Sequence, residues 1–262
     1  MDFIKITSAS NTLIKLLRSL HSRRGRQKEN AVILEGTRLV ADAVKFSAKI
    51  RCYILSESFA EKNSSLLKGF PEAKTYLLPD ILFRKVCETD NPQGLLAVSD
   101  IPSYNDDILA EIKRAIVLEN IQDPGNAGTI IRSADAFGFG AVIFSRDSVD
   151  PYNSKVIRST MGSLFHIPVI VSNDVYMTLE KLKGYGVKIL AAHPRDAELC
   201  HKADLSGDIA VVIGNEGNGL SDRILNMADQ KIMIPMKGLA ESLNASVAAS
   251  VLLYESMRQR DV

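Results

Sequence analysis

The chain has 262 residues, 46% of them hydrophobic and 24% charged, and a net charge of +1. That length suits one large domain or two ordinary ones, and that composition suits a folded chain with a sizeable core. No run is long and uncharged enough to cross a bilayer, and residues 1–7 lack the basic-then-apolar order of a secretory signal. Cys52, Cys87 and Cys200 are odd in number and far apart, so they form neither a disulfide framework nor a zinc site. His193 and His201 lie near Cys200, but no second ligand cluster answers them. The expectation is a reduced cytoplasmic protein with no metal and no membrane contact.

In chain order, Leu13, Leu16, Leu17 and Leu20 have helical spacing, with Ser10 or Asn11 as the cap. Arg18, Arg23, Arg24, Arg26 and Lys28 follow with no acid among them. Such a run is either an exposed, mobile patch suited to phosphate backbones or a solvated helix end. Then come a strand (31–35), a helix opened by Gly36 and Thr37 (38–46), a strand (50–55), a helix (56–62), an extended stretch (74–78), a helix (80–86) and a strand (94–98). This reads as a small α/β domain over 1–100. Residues 100–107, polar and containing Pro102, are the best linker.

The remainder, 107–262, has the stronger pattern. Apolar strands are expected at 115–118, 141–144, 168–171, 187–191, 209–213 and 232–234, with helices at 129–137, 154–164, 175–183, 221–227 and 244–258. Continuous apolar strands alternating with helices imply a parallel sheet covered on both faces, with a ligand crevice at the carboxyl ends of the strands.

Three strand-to-helix junctions carry unusual chemistry. In the first, 119–138, Asp123-Pro124-Gly125-Asn126 reads as a turn, Gly128 and Thr129 open a helix, and Arg132 falls in its first turn. A cation there opposes the helix dipole, which favours a functional role. The loop also has the glycine content to cradle a phosphate, although Gly-x-Gly-x-x-Gly is absent. In the second junction, 211–221, a buried strand runs into three glycines around Glu216. The third, 232–254, is a strand, a Pro/Gly loop and a helix with no charge from Leu243 to Tyr254. A helix uncharged all round is normally buried. Ser242 or Asn244 at its entry either caps it or faces a ligand. Gathered at one sheet edge, Asn126, Arg132, Glu216, Ser242 and Asn244 would surround one pocket.

Taken in order, Asn126…Arg132, Gly214-Asn-Glu216 and Ser242-Leu-Asn244 resemble the three motifs of the SpoU (TrmH-like) RNA ribose methyltransferases of the SPOUT class. Residues 155–168 and 32–40 also look like family stretches, so the resemblance spans nearly the whole chain. It implies an α/β fold whose C-terminal, mostly parallel sheet closes in a deep trefoil knot, beside an N-terminal substrate-binding domain related to a small ribosomal-protein fold. It further implies S-adenosylmethionine held against Gly214, Ile234 and Leu243, and a homodimer packed through the knot helices. Arg132 would be the central catalytic residue, with Asn126, Ser242 and Asn244 orienting it and the ribose. Glu216 would pair with Arg132 or hold the ribose. The N-terminal domain and the run at Arg18, Arg23, Arg24, Arg26 and Lys28 point to RNA, ribosomal RNA in preference to transfer RNA. Two alternatives stand beside this reading: a non-catalytic RNA-binding member of the fold, and a nucleotide-dependent oxidoreductase, which the missing glycine fingerprint disfavours.

Overall fold

A computed structural model describes residues 3–63, 69–105 and 107–260; Asp106 of the expected linker lies outside them. The chain divides into two compact units, Met1–Pro102 with Tyr152–Ser154, and Ser103–Pro151 with Lys155–Val262.

The first unit contains β1 (Ile4–Lys5), α1 (Thr12–Leu20), α2 (Arg23–Glu29), β2 (Ala31–Glu35), α3 (Thr37–Lys45), β3 (Ile50–Ser56), α4 (Glu57–Asn63), β4 (Lys74–Leu78), α5 (Asp80–Arg84) and β5 (Leu95–Asp100). Its five-stranded mixed sheet runs β1-β4-β3-β5-β2. Asn11 caps α1 by accepting the Leu13 N–H at 2.9 Å, and Leu13, Ile14, Leu17 and Leu20 bury its apolar stripe.

The basic run is helical: Arg18 lies in the last turn of α1 and the rest in α2, which folds back onto α1 so closely that a Cβ on Gly25 would lie 1.9 Å from the Ser19 carbonyl oxygen. Arg26 therefore leaves the set of RNA-facing candidates. It is 4% exposed, and its Nη1 donates to the carbonyls of Leu20 (2.9 Å) and His21 (3.0 Å) at the end of α1, where free carbonyls collect. Arg18, Arg23, Arg24 and Lys28 stay on the surface.

The second unit contains α6 (Ile108–Glu111), β6 (Arg114–Leu118), α7 (Pro124–Ala136), β7 (Ala141–Ser145), α8 (Ser154–Thr160), β8 (Val169–Ser172), α9 (Val175–Gly184), β9 (Lys188–Ala192), β10 (Glu198–Leu199), β11 (Ile209–Ile213), α10 (Asp222–Met227), β12 (Gln230–Met233) and α11 (Ala245–Arg260). Seven parallel strands follow the order β10-β12-β9-β11-β6-β7-β8. Val117, Ile143, Ile189 and Val212 share a core with Leu179 and Leu182 of α9 and Ile224 of α10. Their alternates Ile116, Leu118, Val142, Phe144 and Val211 are buried too, as the two-residue period of a doubly covered sheet requires. The helix expected over 154–164 breaks at Met161 and Gly162, both at positive φ (51° and 98°), and resumes as one 3-10 turn, Ser163–Phe165. Chain order runs outward from β6 to β8 on one side and returns through β9 to β12 on the other. The switch point therefore falls between β6 and β11, registered Leu118 against Ile213.

Candidate active site

Because the strands are parallel, the segments leaving β6, β9, β11 and β12 emerge at one end of the sheet. The β6 segment is pinned first. Glu119 is 2% exposed, and its carboxylate accepts the Ser221 N–H (2.8 Å) and hydroxyl (2.6 Å) at the start of α10. Asn120 takes the left-handed conformation (φ 56°), which Asn tolerates better than most residues. Its carbonyl accepts from Asn215 Nδ2 at 2.8 Å, joining the first loop to the second. The sequence reading gave Glu119, Asn120 and Asn215 no role; acid and amide side chains beside turn residues were the available signal.

Helix α7 begins five residues earlier than expected, with Pro124 in its first turn and Asp123 as N-cap accepting the Asn126 N–H at 2.7 Å. The consequence concerns Arg132. It lies in the third turn of α7, not the first, so the argument from the helix dipole lapses. The side chain is exposed and makes no hydrogen bond or ion pair among the described residues.

Glu216 does not pair with Arg132. Its Oε2 accepts the Gln122 N–H (3.1 Å), and its Oε1 accepts the Asp123 N–H (3.1 Å) and Asn126 Nδ2 (3.0 Å). A carboxylate beside the amino end of a helix also meets the positive end of the helix dipole. Burial pushes the Glu216 carboxyl up, but the Asn126 side chain and the backbone N–H groups outweigh it and hold the group below its ordinary value.

The network continues. Asn126 Oδ1 accepts from Asn244 Nδ2 at 3.0 Å, and Asn244 Oδ1 accepts the N–H groups of Ser246 (2.9 Å) and Val247 (3.3 Å) and the Ser246 hydroxyl (2.7 Å). Both amide orientations follow from their neighbours. The carboxylate only accepts, so Asn126 turns its NH2 to Glu216; the α11 N–H groups only donate, so Asn244 turns its oxygen to them. A single hydrogen-bonded line, Glu216–Asn126–Asn244, thus ties the second loop to the amino ends of α7 and α11. Asn244 is the cap of α11, while Ser242 is exposed and carries no cap bond.

Beside this line is a cavity of about 330 Å3, within the size range of small-molecule sites. Gly214, Glu216, Ile234, Ser242 and Leu243 line it; Asn126, Asn244 and Arg132 do not. Apolar side chains, among them Ile213, Ile232, Ala248 and Leu252, form part of its wall. Gly214 is required by packing, since a Cβ there would stand 2.2 Å from the Gly219 carbonyl carbon. The loop closes on itself through paired bonds between Asn215 and Gly219 (3.0 and 2.9 Å). By contrast, no residue from 234 to 243 takes part in a backbone–backbone hydrogen bond among the described residues. An apolar wall with unpaired main-chain donors and acceptors at its rim fits an adenosine group, which offers a flat apolar face and a polar edge. The cavity thus suits the cofactor that the family resemblance implies. Among the described residues, no group of three or more His, Cys, Asp or Glu is placed to hold a metal ion, and no helix is long and apolar enough to cross a membrane.

Helix α11 is not buried all round. Val247 (48%), Val251 (36%) and Tyr254 (48%) are exposed and form an apolar groove with Thr129 of α7. Beside that groove α11 packs on α7, with the hydroxyls of Ser133 and Ser250 2.8 Å apart and Phe137 meeting Tyr254 edge-on at 5.8 Å.

A parallel sheet with its nucleoside-sized cavity at the carboxyl ends and an amide–carboxylate line beside it defines a class of α/β ligand-binding domain. The comparisons carry that further: residues 113–254 match the SpoU rRNA Methylase family, and residues 11–97 match the MRM3-like substrate binding domain. The chain belongs to the SpoU rRNA methylase family. It is 35% identical to the 23S rRNA (guanosine(2553)-2'-O)-methyltransferase RlmP of Bacillus subtilis, over 95% of this chain and 98% of that one. Among solved structures, it is similar to the SpoU methyltransferase AviRb of Streptomyces viridochromogenes in complex with the cofactor AdoMet, at a TM-score of 0.87 and 26% identity over 96% of this chain and 98% of that one. An AdoMet-bound rRNA methyltransferase from Sinorhizobium meliloti matches at a TM-score of 0.85 and 27% identity, over 98% of both chains.

Proposed function

We propose that this protein methylates a ribose 2′-hydroxyl of 23S ribosomal RNA with S-adenosylmethionine as donor. The observation that carries the reading is the line Glu216–Asn126–Asn244 beside a cavity lined by Gly214, Ile234 and Leu243. Further support comes from relatives matched over nearly their full length and named as 23S rRNA 2'-O-methyltransferases. The cofactor, when bound, supplies an activated methyl group on a sulfonium. Gly214, Ile234 and Leu243 hold it by main chain. Glu216, Asn126 and Asn244 keep the loops around it fixed, and Ser242, exposed at the rim, contacts the incoming ribose. Arg132 meets the RNA directly, its guanidinium unengaged by the described residues. A guanidinium stays protonated in proteins, so its work is electrostatic: it grips the adjacent phosphate and stabilises the alkoxide forming at the 2′-oxygen, while phosphate or water takes the proton.

The same reading assigns 1–100 to RNA binding through Arg18, Arg23, Arg24 and Lys28, and 107–262 to methyl transfer, with the C-terminal segment knotted. It makes the protein cytoplasmic and homodimeric. The exposed stripe Val247, Val251 and Tyr254 is the natural dimer contact, and Thr129 in that groove is one helical turn from Arg132. A second copy docked there would border the catalytic arginine. Val251→Glu is expected to yield a folded monomer with little activity, read by analytical ultracentrifugation.

Mapping ribose methylation across all stable RNA, with and without the gene, tests the function. One lost site in large-subunit ribosomal RNA is expected. A lost site in transfer RNA, or no lost site at all, overturns the assignment.

A further inference from the structure

The face of α7 that carries Arg132 has a neighbour on each side. With 3.6 residues per turn, Gly128, Arg132 and Asp135 fall within about 60° of one another around the helix. The outer two touch the segment 156–166. A Cβ on Gly128 would stand 2.3 Å from Ser159 Cβ of α8, and an Asp135 carboxylate oxygen lies 2.7 Å from His166 Nδ1. The chain between Ser159 and His166 therefore passes alongside Arg132. On the other side of Arg132, Ser133 meets Ser250 of α11. Arg132 thus stands exposed between the end of α8 and α11.

The passing segment contains the break in α8. Met161 holds the left-handed conformation (φ 51°), which residues other than glycine seldom adopt, and Gly162 follows at 98°. Such backbone persists where the surroundings dictate it. Here they do: Thr160 is fully buried with its hydroxyl donated to the Ile157 carbonyl at 2.7 Å, and Gly162, Ser163 and Leu164 are buried as well. Met161 alone among residues 160–164 is exposed, at 46%. The fold thus spends backbone strain to turn an apolar side chain toward solvent beside Arg132. Lys155 and Arg158, both exposed on α8, lead up to the turn. Cations that follow a phosphate chain, with an apolar group set among them for a ring face, are how single-stranded nucleic acid is met. The methionine thioether is polarisable and packs well on aromatic rings.

We propose that Met161 packs against the base of the target nucleotide while Arg132 holds the adjoining phosphate. This deepens the methyl-transfer reading under Proposed function and rests on it. Met161 touches the base and not the reacting atoms, so it contributes equally before and during methyl transfer. Its loss should appear in KM for RNA rather than in kcat.

The test uses the full-length protein and a 23S ribosomal RNA fragment spanning the nucleotide that the methylation map identifies. The fragment is made with and without the base of that nucleotide, and both forms keep the 2′-hydroxyl. Met161→Gly accepts the positive φ and removes the side chain, whereas Met161→Ala removes it and keeps the strain. Both should raise KM for intact RNA about five- to tenfold, with kcat and S-adenosylmethionine affinity within about twofold of wild type. Met161→Gly should melt no lower than wild type, so its loss is not one of folding. Met161→Leu keeps an apolar side chain of similar volume and should stay within about threefold of wild type. On RNA lacking the base, wild type should lose the same factor of about five to ten, and neither variant should lose more, because the contact is already gone. Losses that multiply overturn the proposal. So does a wild-type KM for intact RNA in Met161→Gly. So, too, does a Met161→Gly that sediments as a monomer where wild type is a dimer, which would give the side chain to a second copy. Wild type that methylates neither RNA sinks the methyl-transfer reading along with it.

Discussion

The two walls of the cavity are built differently. The loop leaving β11 is cross-linked: Asn215 binds Gly219 and the Asn120 carbonyl, Glu216 takes three donors, and Gly214 touches backbone with no room for a methyl group. The loop leaving β12, 234–243, forms no backbone–backbone bond among the described residues and is fastened at its far end, where Asn244 caps α11. Both walls come from glycine-containing loops on neighbouring parts of one sheet. The fixed wall holds its groups in a set geometry before any ligand arrives, which is what electrostatic assistance to a reaction needs. The open wall keeps main-chain donors and acceptors unspent for a ligand. Loop composition does not separate these roles; the partners each loop finds in the fold do.

This contrast can be broken at graded cost. The largest effect is expected from Gly214→Ala. The new methyl group meets backbone rather than a movable side chain, so the fixed wall must shift; we expect about 1–3 kcal/mol of destabilisation and loss of S-adenosylmethionine binding, read by thermal melting and titration. Next, Arg132→Ala should leave folding and cofactor affinity near wild type, because the side chain has no hydrogen-bond or ion-pair partner among the described residues, and cut methyl transfer by about 100- to 1000-fold. Label transfer to RNA measures it, and normal turnover would remove Arg132 from the mechanism.

Glu216→Gln should act on the fixed wall alone. An amide in place of the carboxylate sets NH2 against an N–H group that the acid satisfied, at about 1–3 kcal/mol. It also changes the pH dependence. The folded Glu216 carboxyl lies below its unfolded value, so its contribution to stability is fully present above the unfolded carboxyl range and is lost as pH falls through the folded value. The wild-type melting temperature should therefore drop more steeply in acid than that of Glu216→Gln. Parallel acid limbs would mean that the carboxylate adds no pH-linked stability. The smallest effect belongs to Asn244→Ala: about 1 kcal/mol from the lost cap, with cofactor affinity reduced because the anchor of the open wall loosens.

Much of the fold was legible in the sequence. The strand at 31–35 and the parallel strands at 115–118, 141–144 and 209–213 announced themselves as continuous apolar runs, because burial on both faces leaves no polar alternation. The helix at 154–164 was over-extended because nothing local reveals that Met161 and Gly162 adopt positive φ. The short strands Ile4–Lys5 and Glu198–Leu199 went unseen, since two residues carry no periodic signal. Of the site, the residue set was readable as ordered motifs, but the wiring was not. The resemblance gave Glu216 as a partner for Arg132 or a support for the ribose, whereas Gln122, Asp123 and Asn126 are its partners in the fold. Nothing local separates a buried arginine from an exposed one: Arg26 closes a helix end inside the first unit, whereas Arg132 is exposed on the second and makes no hydrogen bond or ion pair among the described residues.

By itself the sequence determined that apolar runs of strand length alternate with helices, that glycine-rich turns sit at three strand ends, and that a basic cluster lies near the start. These are local properties, set by side-chain periodicity and by the backbone freedom of glycine. Only the tertiary structure decided that Asn244 faces Asn126 across 118 positions, that Asn126 faces Glu216 across 90, and that His193 closes the same cavity. Hydrogen bonding is short-ranged and directional, so which donor meets which acceptor depends on strand order. That order, β12-β9-β11-β6, is a property of the assembled sheet.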